Sequence, residues 1–211
     1  MDSSLRKLAT KMILEKIQHG DFSAGDVISE SEICKILNIS RTPAREALIE
    51  LVANGVLEKV PRKGYQITNA SQKQKIDAYI VLASLDALAG RLACPMMTDQ
   101  DILHMQELTD LIDVAIKYKN YASYCELQEK FHQVYIKRAD NQVLSRMLDE
   151  IKSSVIRYTY FSEDIDTQFE TCKLMNDEHK KIIELFQSGD ADAVGHYLEH
   201  VHWVTKDYKL I

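Results

Sequence analysis

Residues 28–67 read ISESEICKILNISRTPAREALIELVANGVLEKVPRKGYQI, and the order of turn and cap signals in this stretch decides the fold. Ser29 and Glu32 stand three apart, the spacing of a reciprocal capping box, ahead of a short helix from Glu30 to Leu37. Asn38-Ile39-Ser40 leaves room only for a tight turn. Thr42 then caps a third helix with Pro43 at its first position, where the missing N–H costs nothing. That helix runs through Ala47, Leu48 and Leu51 to Asn54-Gly55, an expected left-handed exit. Val56–Val60 and Tyr65–Ile67 follow as two short strands around Pro61-Arg62-Lys63-Gly64. Upstream, Leu5, Leu8, Ala9, Met12, Ile13 and Ile17 recur at helical spacing, Gly20 stops the helix, and Asp21–Val27 with Gly25 reads as a turn. Three helices, a tight turn between the last two and a β-hairpin make a winged helix-turn-helix over residues 1–70.

The basic residues of this head cluster where such a module meets a duplex. Arg41 and Arg45 start the third helix, the end that enters a major groove. Arg62 and Lys63 tip the hairpin beside Gly64, whose missing side chain lets backbone approach DNA. Each feature alone is more often a solvated charge or an ordinary turn. Their joint order points to DNA.

The same stretch resembles the DNA-binding domain of the GntR family, and SRTPAREAL (40–48) follows that family's recognition-helix signature. The resemblance covers about residues 5–67. It implies that Arg41 and Arg45 read base edges or nearby phosphates, that Ser40 and Thr42 anchor phosphates, and that Gly64 places the wing in the minor groove. Some members carry a DNA-touching arginine early in the second helix. This chain has Ser31 there.

Beyond residue 70, Pro95 is the only proline, and apolar residues recur at helical spacing through about 72–94, 98–118, 120–138, 141–160, 164–188 and 190–208. An antiparallel all-α bundle over residues 71–211 is expected, so that the whole chain is mostly α. FHQVYIKRADNQVL (131–144) and EHKKIIELFQSGDADA (178–193) resemble segments of the FadR-type ligand-binding domain, called FCD, that follows a GntR head in one branch of the family. Many members hold a divalent metal with an Asp and a His four apart on one helix and a His on each of the last two helices.

By that resemblance His132 and His179 are metal ligands of a zinc- or nickel-type site, and Gln128 occupies the carboxylate position. A neutral amide binds a cation less well than a carboxylate, so the cation is expected to be held more weakly or not at all. Counted from Gly189-Asp190 the third histidine position falls on Val201. Counted from Ala193 and Tyr197 it falls on His200, if the turn before the last helix is one residue shorter. His200 is favoured because turns absorb deletions and helix interiors do not, and His104, His196 and His202 read as surface or hydrogen-bonded residues. Tyr158 and Tyr160, with Phe161, are candidates to line an effector cavity. Family members often carry an arginine near Leu82 and a glutamate near Asp86. Here the arginine is absent, so the effector's chemistry is expected to differ.

Composition agrees with this division. Net charge is −6, yet residues 1–70 hold ten Lys/Arg against nine Asp/Glu, and the remainder sixteen against twenty-three. Near-neutral overall charge in the head permits DNA binding because affinity follows local phosphate contacts. Four cysteines without CxxC spacing read as reduced thiols. No apolar run spans a bilayer and the N-terminus lacks a signal peptide's apolar block, so a cytoplasmic protein is expected, with no membrane partner. The expected partners are double-stranded DNA with a palindromic operator, a small-molecule effector and a second copy of the chain. Two other readings stand beside this regulator: a metal-dependent hydrolase-like helical protein, and a constitutive DNA-binding protein without effector. No nucleophile–base grouping, phosphate-cradling loop or paired carboxylates support an enzyme.

Overall fold

Alternation of apolar residues with caps and left-handed stops gives a chain of helices interrupted by one small sheet. The computed structural model describes residues 2–18, 21–68, 72–154 and 164–203. Two compact units result, the first built on the described residues up to Gln74 together with those from Lys152 to Ser154, the second on Lys75–Ile151 and the described residues from 164 onward.

In the first unit, α1 (Asp2–Gln18) turns Ala9, Ile13, Leu14 and Ile17 inward and packs on α3. Leu8 of the expected stripe is half exposed. Helix α2 (Glu30–Leu37) opens with the complete Ser29–Glu32 capping box and closes on Asn38 at φ +51°. Helix α3 (Arg41–Ala53) buries Pro43, Ala44, Ala47, Leu48 and Leu51. Its N-cap is Ser40, not Thr42, which places Pro43 third in the helix. A proline is still harmless there, because the first four N–H groups lack intrahelical acceptors. The left-handed exit is carried by Gly55 at φ +71°, while Asn54 keeps an ordinary φ of −85°.

Strands β2 (Leu57–Val60) and β3 (Gly64–Ile67) form the expected hairpin. The sheet has a third member, β1 (Val27–Ile28), in a segment whose Gly25 marks it as a turn. It pairs antiparallel with β3, Ile28 opposite Tyr65, in the order β1-β3-β2. A two-residue strand carries too little periodicity to show in sequence. Its inward residue, Ile28, joins Ile33, Leu57, Tyr65 and Ile67 in the core.

Gly64 is demanded by this pairing. Its φ is +124°, and a Cβ there would stand 2.6 Å from the Ile28 carbonyl oxygen. Gly64→Ala is therefore expected to destabilise the first unit by about 2–4 kcal/mol, from overpacking and backbone strain together. Urea unfolding followed by circular dichroism checks this; a loss within 0.5 kcal/mol, on the order of an ordinary surface change, would contradict it.

The second unit contains α4 (Gln72–Ala93) from Lys75 on, a 3₁₀ turn (Cys94–Met96), α5 (Asp99–Lys117), α6 (Tyr121–Arg138), α7 (Gln142–Ser154) up to Ile151, α8 (Ile165–Ser188) and α9 (Ala191–Tyr197). Thr98, Asn120, Asp164 and Asp190 cap α5, α6, α8 and α9 with their side chains, and Gly189 at φ +73° ends α8. Helix α5 packs on both α6 and α8. The core is aromatic and aliphatic, with Phe131, Tyr135, Tyr124, Ile112, Ile182 and Phe186 all buried. After Tyr197 the last helix does not stop. It continues as a π-helical turn, Leu198–His202, in which the Trp203 N–H donates to the Leu198 carbonyl five residues back at 3.2 Å.

Candidate functional site

The N-terminal end of α3 collects Ser40, Arg41, Thr42 and Arg45, all solvent-exposed. Packing of Ala44, Ala47 and Leu48 against the core leaves the opposite face of the first turns outward. Ser40 caps the helix by backbone geometry alone, and its hydroxyl makes no cap hydrogen bond. Helix N-termini carry partial positive charge, so this end attracts phosphate even before its arginines are counted. Arg45 donates from Nε to Glu30 Oε1 at 2.8 Å, and the Tyr65 hydroxyl donates to the same oxygen at 3.4 Å. On the hairpin, Arg62 at φ +65° and Lys63 are exposed, and Lys63 N–H donates back to the Val60 carbonyl.

A second constellation lies inside the helical unit. His132 from α6, His179 from α8 and His202 from the π-turn are 2%, 0% and 4% exposed. Their ring centroids form a nearly equilateral triangle with separations of 5.2, 5.1 and 5.0 Å. One nitrogen from each ring lies within 4.8 Å of the other two. The outward-facing nitrogens are held: His132 Nδ1 is 2.6 Å from the Tyr135 hydroxyl, His202 Nδ1 is 3.0 Å from Glu178 Oε2, and His179 Nδ1 is 3.4 Å from Asn176 Oδ1. His179 Nε2 is buried without a hydrogen-bond partner.

The third histidine is therefore not His200. That residue is exposed, with Nδ1 3.2 Å from the His196 carbonyl and its ring stacked on His196. The premise that helix interiors do not absorb length changes fails here. Helix α9 starts where its Asp190 cap dictates, and one extra residue is taken up by the wider i→i+5 turn, which brings His202 to the face that Val201 would occupy in a continuous α-helix. Nothing in the local sequence separates an α from a π turn. Gln128 sits half-buried one turn before His132. Tyr158, Tyr160 and Phe161 lie outside the described residues.

Asp86 was legible only as a near match to a family position, yet it is fully buried. Its Oδ2 accepts from the Tyr135 hydroxyl at 2.5 Å and from Trp203 Nε1 at 2.6 Å. Leu82, one turn earlier, is also fully buried, so no cation from that turn offsets the carboxylate.

These three imidazoles suit a borderline divalent cation, which takes neutral nitrogen ligands and tolerates a site with open positions. Burial first, and the neighbouring His202 second, push the His179 pKa well below its ordinary 6.5. The ring is thus neutral at pH 7, the form that coordinates. The shift also has a stability consequence. The unfolded chain takes up a proton near 6.5 while the folded one does not, so this contribution is complete above pH 6.5 and is lost as pH falls toward the depressed folded value. Metal-free protein is expected to lose up to about 1.4 kcal/mol per pH unit below 6.5 from this ring. Denaturant titrations at pH 7.5, 6.5 and 5.5 check it, and a His179→Asn chain with an unchanged pH slope would refute the assignment.

Comparison with known proteins agrees with both units. The model of the gntR family of bacterial regulatory proteins matches residues 5–67, and that of the FCD domain matches residues 77–202. The chain is 25% identical over 202 residues to the HTH-type transcriptional repressor RspR of Escherichia coli, covering 95% of this chain and 87% of the relative. It is 28% identical over 181 residues to the Nta operon transcriptional regulator of Aminobacter aminovorans, covering 85% and 83%. Among solved structures, E. coli McbR/YncC shares the fold with a TM-score of 0.81 at 18% identity, over 94% of this chain and 93% of that one. A winged helix-turn-helix head followed by a helical FCD unit, matched along nearly the whole chain, makes this protein a member of the gntR family of transcription regulators, in the branch that carries an FCD domain.

Proposed function

We propose that this regulator binds a palindromic operator as a homodimer and that a divalent cation at His132, His179 and His202 forms part of its effector pocket. The observation that carries the reading is the meeting of three buried imidazoles in the FCD unit of a chain that also carries a winged helix-turn-helix. Arg41 and Arg45 read bases or adjacent phosphates, Ser40 and Thr42 anchor phosphate, and Lys63 and Gly64 bring the wing to the backbone. A single recognition helix reads few base pairs, so paired half-sites are needed for specificity. Helix α4 leaves Ile80, Val81, Leu88 and Leu92 exposed, an apolar face suited to a second copy. Bound metal would act as a Lewis acid toward an oxygen or nitrogen of the effector, while the three histidines fix its position. No described helix is long and apolar enough to cross a membrane. A cytoplasmic location follows from the regulator's access to DNA.

The wing supplies a direct test. Lys63→Ala is expected to weaken operator and random duplex alike and to reduce the slope of log K against log salt by about 0.9, because one phosphate contact releases about one counterion. Fluorescence anisotropy at several salt concentrations measures it. An unchanged slope with relaxed base preference would remove Lys63 from the phosphate contacts. Zinc-loaded and chelated protein assayed side by side would show whether the cation matters to DNA affinity, and equal affinity with no zinc uptake would leave a metal-free pocket.

A further inference from the structure

We propose that Asp86, acting through Tyr135, and Glu178 are positioning residues of the three-histidine centre. They set the ring tautomers so that the coordinating lone pairs face one another, and they supply from outside the negative charge that Gln128 does not. The inference rests on the metal reading above.

The wiring follows from which groups can donate. A carboxylate only accepts, so the single Tyr135 hydroxyl proton goes to Asp86 Oδ2 at 2.5 Å. Toward His132 Nδ1, 2.6 Å away, the same oxygen can then only accept. His132 therefore carries its proton on Nδ1 and its lone pair on Nε2. Glu178 does the same to His202 directly, accepting from Nδ1–H at 3.0 Å. His179 is set by an amide. Asn176 Nδ2 donates to the Thr109 carbonyl at 3.0 Å and to Asp113 Oδ1 at 2.7 Å, which fixes the amide's orientation and turns its Oδ1 toward His179 Nδ1. The buried, unpartnered His179 Nε2 keeps its lone pair.

Three lone pairs thus meet in the buried interior. His132 Nε2 and His202 Nε2 stand 3.4 Å apart. Nitrogen ligands about 2.0–2.1 Å from a tetrahedral zinc stand about 3.3 Å from one another. Without a cation the arrangement is repulsive; with one it is a ligand set.

Charge balance points the same way. Three imidazoles leave a divalent cation uncompensated. Asp86 is fully buried, its Oδ1 has no partner, and no lysine or arginine is buried with it among the described residues. A buried carboxylate so placed lacks a counterion. Its Oδ2 lies 3.8 Å from His132 Nδ1, one imidazole from the proposed cation. Carboxylate–histidine–metal chains of this kind raise ligand basicity and orient the ring. An all-imidazole set backed by outer carboxylates selects zinc, nickel or copper over magnesium and manganese, which prefer oxygen ligands.

The test uses the full chain stripped by a chelator, with zinc and manganese as probes. Long-range ¹H–¹⁵N spectra of metal-free protein should show His132 and His202 as Nδ1–H tautomers. Glu178→Gln and Tyr135→Phe should each lower zinc affinity about 10–100-fold and shift the tautomer of the ring they contact, with manganese binding weak throughout. Asp86→Asn should do the same if it folds, and Tyr135→Phe, which removes only a hydroxyl, serves where it does not. Wild-type rings in the Nε2–H form, or folded variants that bind zinc as the wild type does, would overturn the proposal. If the wild type takes up no zinc, the metal reading fails and the charge-supply half of the proposal fails with it, while the spectra still decide the tautomer wiring.

Discussion

His202→Ala is expected to lower zinc affinity by more than about 100-fold, whereas His200→Ala leaves it within about 2-fold. Removing a direct ligand costs more than disturbing an outer hydrogen-bond partner, which alone costs about 10–100-fold. His202 is 4% exposed and faces His132 and His179 across about 5 Å, while His200 stacks on His196 in solvent. The contrast between two histidines two residues apart tests the π-turn as much as the metal. Were the segment a regular α-helix in solution, Val201 would face the site and neither substitution would matter. Gln128→Asp should tighten binding, since it restores an anionic oxygen one turn before His132. Titration calorimetry on chelator-stripped protein measures all three, and equal losses for His200→Ala and His202→Ala would sink the assignment.

The second large effect belongs to the head. Arg41→Ala and Arg45→Ala are each expected to weaken operator binding by about 1–3 kcal/mol, roughly 5–150-fold, if each meets a base edge bidentately. Neither change should disturb folding. Both side chains are exposed, and the Arg45–Glu30 pair leaves Arg45 64% exposed, where such ion pairs contribute about 0–1 kcal/mol. Anisotropy on an operator selected in vitro, with melting curves as the folding control, reads the outcome. Unchanged affinity in both folded variants would withdraw α3 from base recognition.

The head was legible almost residue by residue because its signals are local. A capping box, a three-residue turn and a glycine exit act through neighbours within one turn of the chain, so Ser29, Asn38 and Gly55 mark the elements they bound. One local reading shifted by two residues: Ser40, not Thr42, caps α3. Strand β1 has two residues and exists only because β3 offers it a partner. Likewise Gly64 reads in sequence as a glycine for approaching DNA, while in the fold its first duty is to clear the Ile28 carbonyl.

In the helical unit the sequence by itself determined the helices and two of the three clustered histidines, since a spacing of 3.6 and a matched motif survive without knowledge of neighbours. Only the tertiary structure decided the third. Whether an extra residue is absorbed in a turn or in a π-bulge depends on which helix end is pinned: Asp190 caps α9 at one end, and Trp203 bonds to Asp86 on α4 at the other. Long-range contacts likewise brought Asp86 and Glu178 to the site, whereas Tyr135 stands one turn from His132 on α6. Partners separated by 24 to 117 positions leave no periodicity to read, because hydrogen bonds between helices are set by packing and not by chain spacing.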